Sequence, residues 1–380
     1  MVILAEGIRK IHALNAKAVE FVASCVRFGA SAVSVDVKLA AMKSVHLVIT
    51  DLFLPKEFAS GVYAGLHLPA LEKMLARGAS TGSGRTGGGA SLENYLCELF
   101  GVPCQNDAPI APISAAFDGL GEGCWLRADP VHLRLQRDQL VLLPDVEITA
   151  DESAQMCASL NLHFAGQGME FVAPHPQRWY MKLDRLPDIE TVPLSQAVGR
   201  NVHGLLPKGA EAMRWHRIFN EIQMLLFNHP VNEAREGRGE LPVNSVWLWG
   251  SGCSSAEPLQ KVYESVSSDD VLAEMFAAAS DTPFEGWPGR WSGKEGSGEQ
   301  LLVWRGLSQA LQRGSLDAWR DALQGFEAGY AQPLWQALRS GKIEQLRIDA
   351  PGKEGIWQIL LNRADAWAFW RRAKPLDGYS

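Results

Sequence analysis

Polar side chains crowd the segment 229–244, HPVNEAREGRGELPVN, which lies between a helix-like pattern and an apolar run. Four of them are candidate ligand-binding residues: His229, Asn232, Arg235 and Asn244. Guanidinium forks match planar oxyanions, and asparagine or histidine can orient neutral hydroxyl groups. The segment therefore predicts a site for a small phosphorylated or carboxylated metabolite.

A second polar group lies upstream, in WLRADPVHLR and FVAPHPQRWYMKL. Its candidate ligand-binding residues are Arg127, Asp129, His132, His175 and Arg178. We expect Arg127, Asp129, His132 and Arg178 to meet His229, Asn232, Arg235 and Asn244 in one polar cleft, with the arginines clamping an anion in bidentate fashion.

The alternative for these arginines is internal ion pairing with Asp129 and the nearby glutamates. We favour the receptor role for Arg127, Arg178 and Arg235. For Arg238, which has a glycine on each side, we favour a structural role.

Elements with regular apolar patterns must position these groups. Val45–Ile49, SVWLW at 245–249, Leu301–Trp304 and Ile343–Ile348 are short apolar runs typical of buried strands. Asp51 and Asp349 follow two of them, at the strand ends where ligands gather in open α/β sheets. Gly250-Ser251-Gly252 marks a tight turn or a close approach.

Helical patterns alternate with these strands. The apolar spacing predicts helices that include Leu68–Leu75, Ile218–Leu226, Val271–Ala279, Leu316–Leu338 and Trp357–Arg372, and Thr149 with Glu152 has capping-box spacing. The alternation predicts an α/β fold with helices on both faces of a central sheet. We expect one α/β domain from residues 45–120 and 240–375, and an inserted cap at 121–239.

The stretch HPVNEAREGRGELPVNSVWLWGSG resembles a segment of the cofactor-independent phosphoglycerate mutases. In those proteins a histidine-proline-x-asparagine elbow leads into an asparagine-bearing strand and a glycine turn. The stretch is closer still to the bacterial RpfE-type regulatory proteins, which are similar to the mutases. Both resemblances imply an alkaline-phosphatase-like fold.

The resemblance also implies roles for single residues. Asp51 and Asp349 correspond to metal ligands, and Ser91, ahead of a helix, to the catalytic nucleophile. The active enzymes of the family have histidine motifs in the C-terminal half, and this chain lacks them. No histidine follows His229, and Asp349 is followed by Ala350-Pro351-Gly352. Two carboxylates alone make a poor two-metal site, so we expect an incomplete site for a divalent Mn or Mg ion.

Three functions are compatible with this pattern. The missing histidines favour a catalytically reduced relative of the mutases that acts in binding or regulation. The second is a metal-dependent phosphoryl-transfer enzyme, a mutase or hydrolase, with a non-standard residue set such as His132, His175 and His229. The third is a scaffold whose polar clusters only hold the cap to the sheet.

The composition and charge of the chain limit the classes of partner that we expect. The chain has 380 residues, a net charge of -7 and 47% hydrophobic residues, which suits a globular protein and gives no reason to expect nucleic acid. No apolar run could span a bilayer, so we expect no membrane partner, while a protein partner stays open. The six cysteines lack zinc-like spacing, so we expect reduced thiols in a cytoplasm.

The N-terminal segment 1–44 is interpreted as an extension. Met42 is the first residue of the segment MKSVHLVITD, which resembles the start of a protein sequence. We expect residues 1–41 to reflect an over-long start assignment, with an added helix as the alternative.

Overall fold

The apolar run Val45–Ile49 is the buried part of strand β1, Ser44–Ile49. The computed structural model describes residues 43–379 apart from 55–60, 85–90, 105–106, 144–145, 255–257, 294–297 and 353–354. The expectations for residues 1–41 lie outside the described residues.

Strand β1 lies in the middle of a seven-stranded sheet. The other strands are β2 Ala79–Gly84, β8 Ser265–Ser268, β9 Phe284–Gly286, β10 Glu299–Trp304, β11 Gln345–Gly352 and β12 Gly355–Asn362. Their order is β2-β12-β11-β1-β10-β8-β9. The strands from β11 to β9 run parallel, whereas β12 and β2 are antiparallel additions at one edge.

A second sheet has five strands. They are β3 Cys124–Gln136, β4 Gln139–Leu143, β5 Met169–His175, β6 Arg178–Leu183 and β7 Ser245–Cys253. The long strand β3 is central, because β4 and β6 pair with its two halves on one side and β7 pairs with it on the other.

Helices cover both sheets. They are α1 Pro69–Arg77, α2 Leu92–Leu99, α3 Ile110–Phe117, α4 Ala150–His163, α5 Leu194–Ala197, α6 Ala212–Phe227, α7 Pro230–Gly237, α8 Val271–Ala279, α9 Gly306–Gln312, α10 Leu316–Phe326 and α11 Gln332–Ser340. Pro69 starts α1, and the predicted capping box of Thr149 and Glu152 starts α4. None of the helices in the described part of the chain is long and apolar enough to cross a bilayer.

Two sequence-based expectations are wrong. The run Ser245–Trp249 belongs to β7 in the second sheet and not beside β1, so the boundary expected at 240 places this strand in the wrong sheet. The segment Trp357–Arg372 begins within strand β12 and continues with a single 3-10 turn, Asp365–Trp367, because its first half pairs with β11.

One apolar cluster joins the two sheets. It contains Val48 from β1 and Val303 from β10 together with Val131 from β3 and Trp247 from β7. The outer face of the seven-stranded sheet packs on α1, α10 and α11, and the outer face of the five-stranded sheet packs on α4 and α6. The fold is therefore two layers of sheet with shared apolar contacts between them.

Candidate functional site

Polar residues converge at the carboxyl edge of the parallel strands. Asp51 follows β1 in a left-handed conformation with a φ of 54°, which aspartate tolerates better than most residues. Its carboxylate accepts a hydrogen bond of 2.6 Å from the Ser308 hydroxyl in α9. Its N–H donates to the Pro351 carbonyl at the end of β11, at 3.4 Å. Asp51 is thus fixed between neighbouring strand ends, as its position in the sequence predicts.

Arg305 is the cationic group at this edge. It follows β10, and its backbone N–H donates to Asp269 at 2.7 Å while its guanidinium donates to Asp270 at 2.5 Å. Burial would lower the pKa of Arg305, but Asp270 and Glu93 raise it. The edge therefore holds a permanent positive charge bonded to two aspartates.

Ser91 caps the helix that enters this region. Its hydroxyl accepts a 3.1 Å hydrogen bond from the Asn94 N–H, and the residue is 5% exposed. Two residues later, Glu93 accepts from Ser195 at 2.7 Å and interacts electrostatically with Arg305. A capping role accounts for Ser91, and its catalytic role stays a prediction.

Asp349 belongs to a different, buried network. A single carboxylate oxygen accepts from His46 at 2.6 Å, from Arg347 at 2.7 Å and from the Tyr95 hydroxyl. The carboxylate can only accept, so His46 donates through Nε2, and its Nδ1 accepts from Tyr263 at 2.9 Å. Burial and the Asp349 charge both raise the pKa of Tyr95.

Asp51 and Asp349 were expected to be possible ligands of an incomplete metal site, and this role stays a prediction. The two carboxylates belong to separate hydrogen-bond networks, one with Ser308 and one with His46, Tyr95 and Arg347. Among the residues that the structure describes, no three His, Cys, Asp or Glu side chains are grouped to hold a metal ion. The described residues do not fit the two-metal centre that the sequence resemblance implies.

The arginines of β3 and β6 are held by internal carboxylates. Arg127 donates to Asp129 at 2.6 Å and lies over the rings of Tyr180 and Trp249, each 5.2 Å from the ring centroid. Arg178 makes a bidentate pair with Asp118, at 2.9 and 2.6 Å. Arg127 thus has the partner that the ion-pair alternative named, whereas Arg178 pairs with Asp118, a partner that the sequence analysis did not name.

Asp118 has an altered pKa because of this pairing. Burial alone would raise the pKa of its carboxyl, but hydrogen bonds from Arg178 and Tyr180 hold that pKa below its usual value. The lowered pKa makes Asp118 a stabilising anion at neutral pH.

Arg235 is also held internally. It is 2% exposed, and its guanidinium donates to Glu152 at 2.9 Å and to the carbonyls of Glu147 and Leu241 at 2.6 and 3.0 Å. Its expected receptor role is wrong, because its guanidinium binds groups of the protein itself. Arg238 has the structural role that we expected, since it bridges Glu152 and Glu240 at the surface.

The remaining predicted ligands hold the elbow and the neighbouring strand ends. Asn232 joins Leu226 to Val243, and Asn244 exchanges two hydrogen bonds with the backbone of Leu133. His229 caps α7 and contacts Ser159, His132 contacts the Pro242 carbonyl, and His175 accepts from Gln177. Burial lowers the pKa values of His229 and His175.

The predicted single cleft does not form. Side chains alternate across a strand, and Leu126 and Ala128 of β3 point to the apolar cluster under α4 and α6. Arg127 points the other way, towards Tyr180 and Trp249. Arg235 pairs with Glu152 in α4, so it lies on the face opposite Arg127.

A cavity of about 850 Å³ opens beside Arg235, between the start of α4 and α7. Four carboxylates line it, from Glu147, Asp151, Glu152 and Glu240, against two guanidinium groups, from Arg235 and Arg238. Because acidic groups outnumber basic ones, this cavity is a poor receptor for an anion.

The sequence analysis missed most of the residues at the sheet edge. Asp269, Asp270 and Arg305 follow strands as Asp51 does, so the same strand-end argument applied to β8 and β10 would have found them. His46 is a polar residue inside an apolar strand, which is an informative signal of a buried network.

Comparison with known proteins gives distant matches of one kind. A Methanosarcina barkeri protein named 2,3-bisphosphoglycerate-independent phosphoglycerate mutase is 24% identical over 253 residues, 59% of this chain and 62% of that protein. The match therefore spans less than two thirds of that relative. A Methanosarcina acetivorans protein of the same name is 24% identical over 301 residues, 70% of this chain and 73% of that protein.

This chain is similar to those two proteins at low identity over more than half of its length. No family model matches the chain. The PH0037 protein from Pyrococcus horikoshii has a solved structure with a TM-score of 0.52 and 12% identity, covering 85% of this chain and 88% of that one. The mixed α/β fold with its central sheet is shared with that structure.

Proposed function

We propose that this protein is a catalytically reduced relative of the cofactor-independent phosphoglycerate mutases that acts by binding. The observation that carries the proposal is Arg305, whose guanidinium and N–H engage Asp270 and Asp269. Two-metal phosphoryl transfer needs carboxylates and imidazoles with lone pairs that are free for the metals. The Arg305 guanidinium occupies a lone pair of Asp270, and the Arg305 backbone N–H occupies one of Asp269.

The proposed role is regulatory, as for the RpfE-type proteins that the sequence resembles. The proposed ligand class is a small phosphorylated or carboxylated metabolite at the carboxyl edge of β1 and β10. The support is that Arg305 keeps a side-chain exposure of 20% there, beside the start of α9 and Ser308. A guanidinium can bind an oxyanion with the donors that its own carboxylates leave free.

Turnover of 3-phosphoglycerate in the presence of Mn²⁺ or Mg²⁺ tests the proposal, with an active mutase as the positive control. We expect no turnover above the buffer blank. Saturable turnover would instead favour a phosphoryl-transfer enzyme with a non-standard residue set.

Binding is tested separately, by the shift in melting temperature that 3-phosphoglycerate causes without metal. A ligand that binds only the folded state raises the melting temperature. We expect the shift to disappear in Arg305→Gln and to persist in Arg238→Gln, a control at an exposed ion pair. Equal shifts in both variants would exclude the sheet edge as the binding site.

The proposed location is the cytoplasm. The sequence analysis expected reduced thiols, whereas the structure bonds Cys124 to Cys253; Cys97, Cys104 and Cys157 are free. Because cytoplasmic thiols are kept reduced, the proposed location requires this pair to be reduced in the cell. Alkylation at the moment of lysis should then label Cys124 and Cys253, and a protected pair would contradict the location.

A further inference from the structure

The segment that follows β12 exposes three large aromatic side chains within four residues. Trp367, Phe369 and Trp370 are 56%, 79% and 69% exposed. Together they present roughly 300–500 Å² of apolar surface, which is as large as the biggest patch on a typical monomer. Single exposed apolar residues are common, but the rings of Phe369 and Trp370 lie in contact, with centroids 5.3 Å apart, and such an exposed pair calls for an explanation.

The backbone of this segment is anchored to the rest of the protein. Ala366 and Ala368 are buried at 2% and 3% exposure, and the Ala366 carbonyl accepts a 2.8 Å hydrogen bond from Arg77. Arg371 donates back to the Arg77 carbonyl at 2.6 Å. The segment thus buries its alanines and exposes its large aromatic residues. Folding of this chain alone would favour the opposite arrangement, because large apolar side chains are usually buried.

Basic residues flank the aromatic group in the sequence, and one more lies against it in space. Residues 363–374 include four basic residues and one acidic residue. The basic ones are Arg363, Arg371, Arg372 and Lys374, and the acidic one is Asp365. Arg339 of α11 lies over the Trp367 ring, 4.9 Å from its centroid. The patch is therefore positive in a chain whose net charge is -7.

We propose that this aromatic-basic patch, formed by Arg339, Trp367, Phe369, Trp370, Arg371 and Arg372, is the docking surface for a protein partner. The partner would present an apolar recess bordered by carboxylates, complementary to the aromatic rings and the positive rim. Tryptophan and arginine dominate the residues that carry binding energy in protein interfaces, and lysine is depleted there.

The composition favours a protein over a lipid surface. The basic rim is built mainly from arginine, whose planar fork pairs with carboxylates in fixed geometry. One rim arginine, Arg371, is held 3.8 Å from Asp365 and bonded to the Arg77 carbonyl. A fixed rim of this kind suits a partner with fixed carboxylates.

Peptide display tests the proposal without a known partner. Random twelve-residue peptides are selected on the full chain and then measured one at a time by fluorescence polarisation. We expect the selected peptides to combine Asp or Glu with large apolar residues. Their affinity should fall about tenfold or more in Phe369→Ser/Trp370→Ser, as for hot-spot residues.

Two further variants test whether binding depends on this patch and on its positive charge. Met224→Ser/Phe227→Ser removes an equally exposed apolar pair from α6 and should leave the affinity unchanged. Arg372→Glu/Lys374→Glu keeps all three aromatics and should weaken binding through its charge. Peptides that bind all variants equally, or that lack acidic residues, would overturn the proposal.

Two further measurements test whether the patch instead binds a membrane or a second copy of this chain. Co-sedimentation with vesicles of phosphatidylcholine and phosphatidylserine should show no binding that depends on Phe369 and Trp370. Sedimentation velocity should show no concentration-dependent dimer that the aromatic variant abolishes. A positive result in either assay would replace the proposed partner by a membrane or by a second copy of this chain. Neither assay depends on mutase turnover, so failure here leaves the proposed function untouched.

Discussion

Arg235 shows how one side chain can look like a receptor and serve as a structural pair. It is buried between α4 and α7 and uses its donors on Glu152 and two backbone carbonyls. Arg238, three residues on, reaches the same Glu152 from the surface, with 48% of its side chain exposed. The two arginines differ mainly in burial.

We expect Arg235→Ala to lower the free energy of unfolding by roughly 3–5 kcal/mol, because it removes the buried one of the two guanidinium partners of Glu152 and the donor to two carbonyls. Arg238→Ala should cost about 1 kcal/mol or less, because its ion pairs are exposed to solvent. Urea denaturation of both variants measures the difference. Similar losses in the two variants would contradict the structural assignment of Arg235.

Asp118 gives the stability a defined pH dependence. Its folded-state pKa is held below the usual value by Arg178 and Tyr180. A depressed carboxyl pKa contributes stability that is present above the unfolded pKa and is lost as the pH falls through the folded pKa. The loss should therefore appear below pH 3.8, the ordinary value for this group.

The difference in unfolding free energy between wild type and Asp118→Asn isolates this effect. It should be constant near neutral pH and shrink as the pH falls below 3.8. Taking the difference removes the contribution of Asp269, whose pKa is raised by burial and whose effect has the opposite sign. A difference that does not change with pH would show that Asp118 titrates normally.

At the scale of elements, glycines set how closely α3 approaches β7. Gly250 and Gly252 were expected to mark a tight turn or a close approach; both lie inside β7, and Gly250 has a φ of 70°. A Cβ at Gly252 would lie 2.7 Å from the Pro109 side chain and 3.0 Å from that of Pro112. Neither proline ring can move without shifting the start of α3.

We expect Gly252→Ala to destabilise the protein by about 1–3 kcal/mol, the usual cost of overpacking. The control is Gly237→Ala at the end of α7, where an added Cβ meets no atom within 4 Å. That substitution should be neutral or stabilising by up to about 1 kcal/mol, because alanine is the better helix former. Thermal denaturation of the pair distinguishes close approach from a general effect of losing glycine.

At the scale of the whole molecule, the two sheets share one apolar cluster. Val48 and Val303 of the seven-stranded sheet belong to the same cluster as Val131 and Trp247 of the five-stranded sheet. Neither sheet can lose its structure without exposing apolar surface of the other. This arrangement differs from a cap that is joined only by hinges.

We therefore expect a single cooperative unfolding transition. Far-UV circular dichroism and tryptophan fluorescence should give coincident urea curves, and the calorimetric and van't Hoff enthalpies should agree. Trp247→Ala should shift both curves together to lower urea. Two separated transitions would show that the second sheet folds as an independent domain.

The sequence by itself determined the local elements. Apolar runs located β1, β7, β10 and β11, and the capping box at Thr149 and Glu152 and the proline at residue 69 marked the beginnings of α4 and α1. These signals are local, because periodic burial and caps depend on residues within a few positions of each other. The α/β class follows from the alternation alone.

Only the tertiary structure decided sheet membership and side-chain partners. The run Ser245–Trp249 reads as a strand buried on both faces, and such a run suits either sheet until its pairing with β3 is known. Arg178 pairs with Asp118 across 60 residues, and His46 pairs with Asp349 across 303. Periodicity reports whether a residue is buried and not which distant group it meets, because long-range contacts depend on how all the elements pack together.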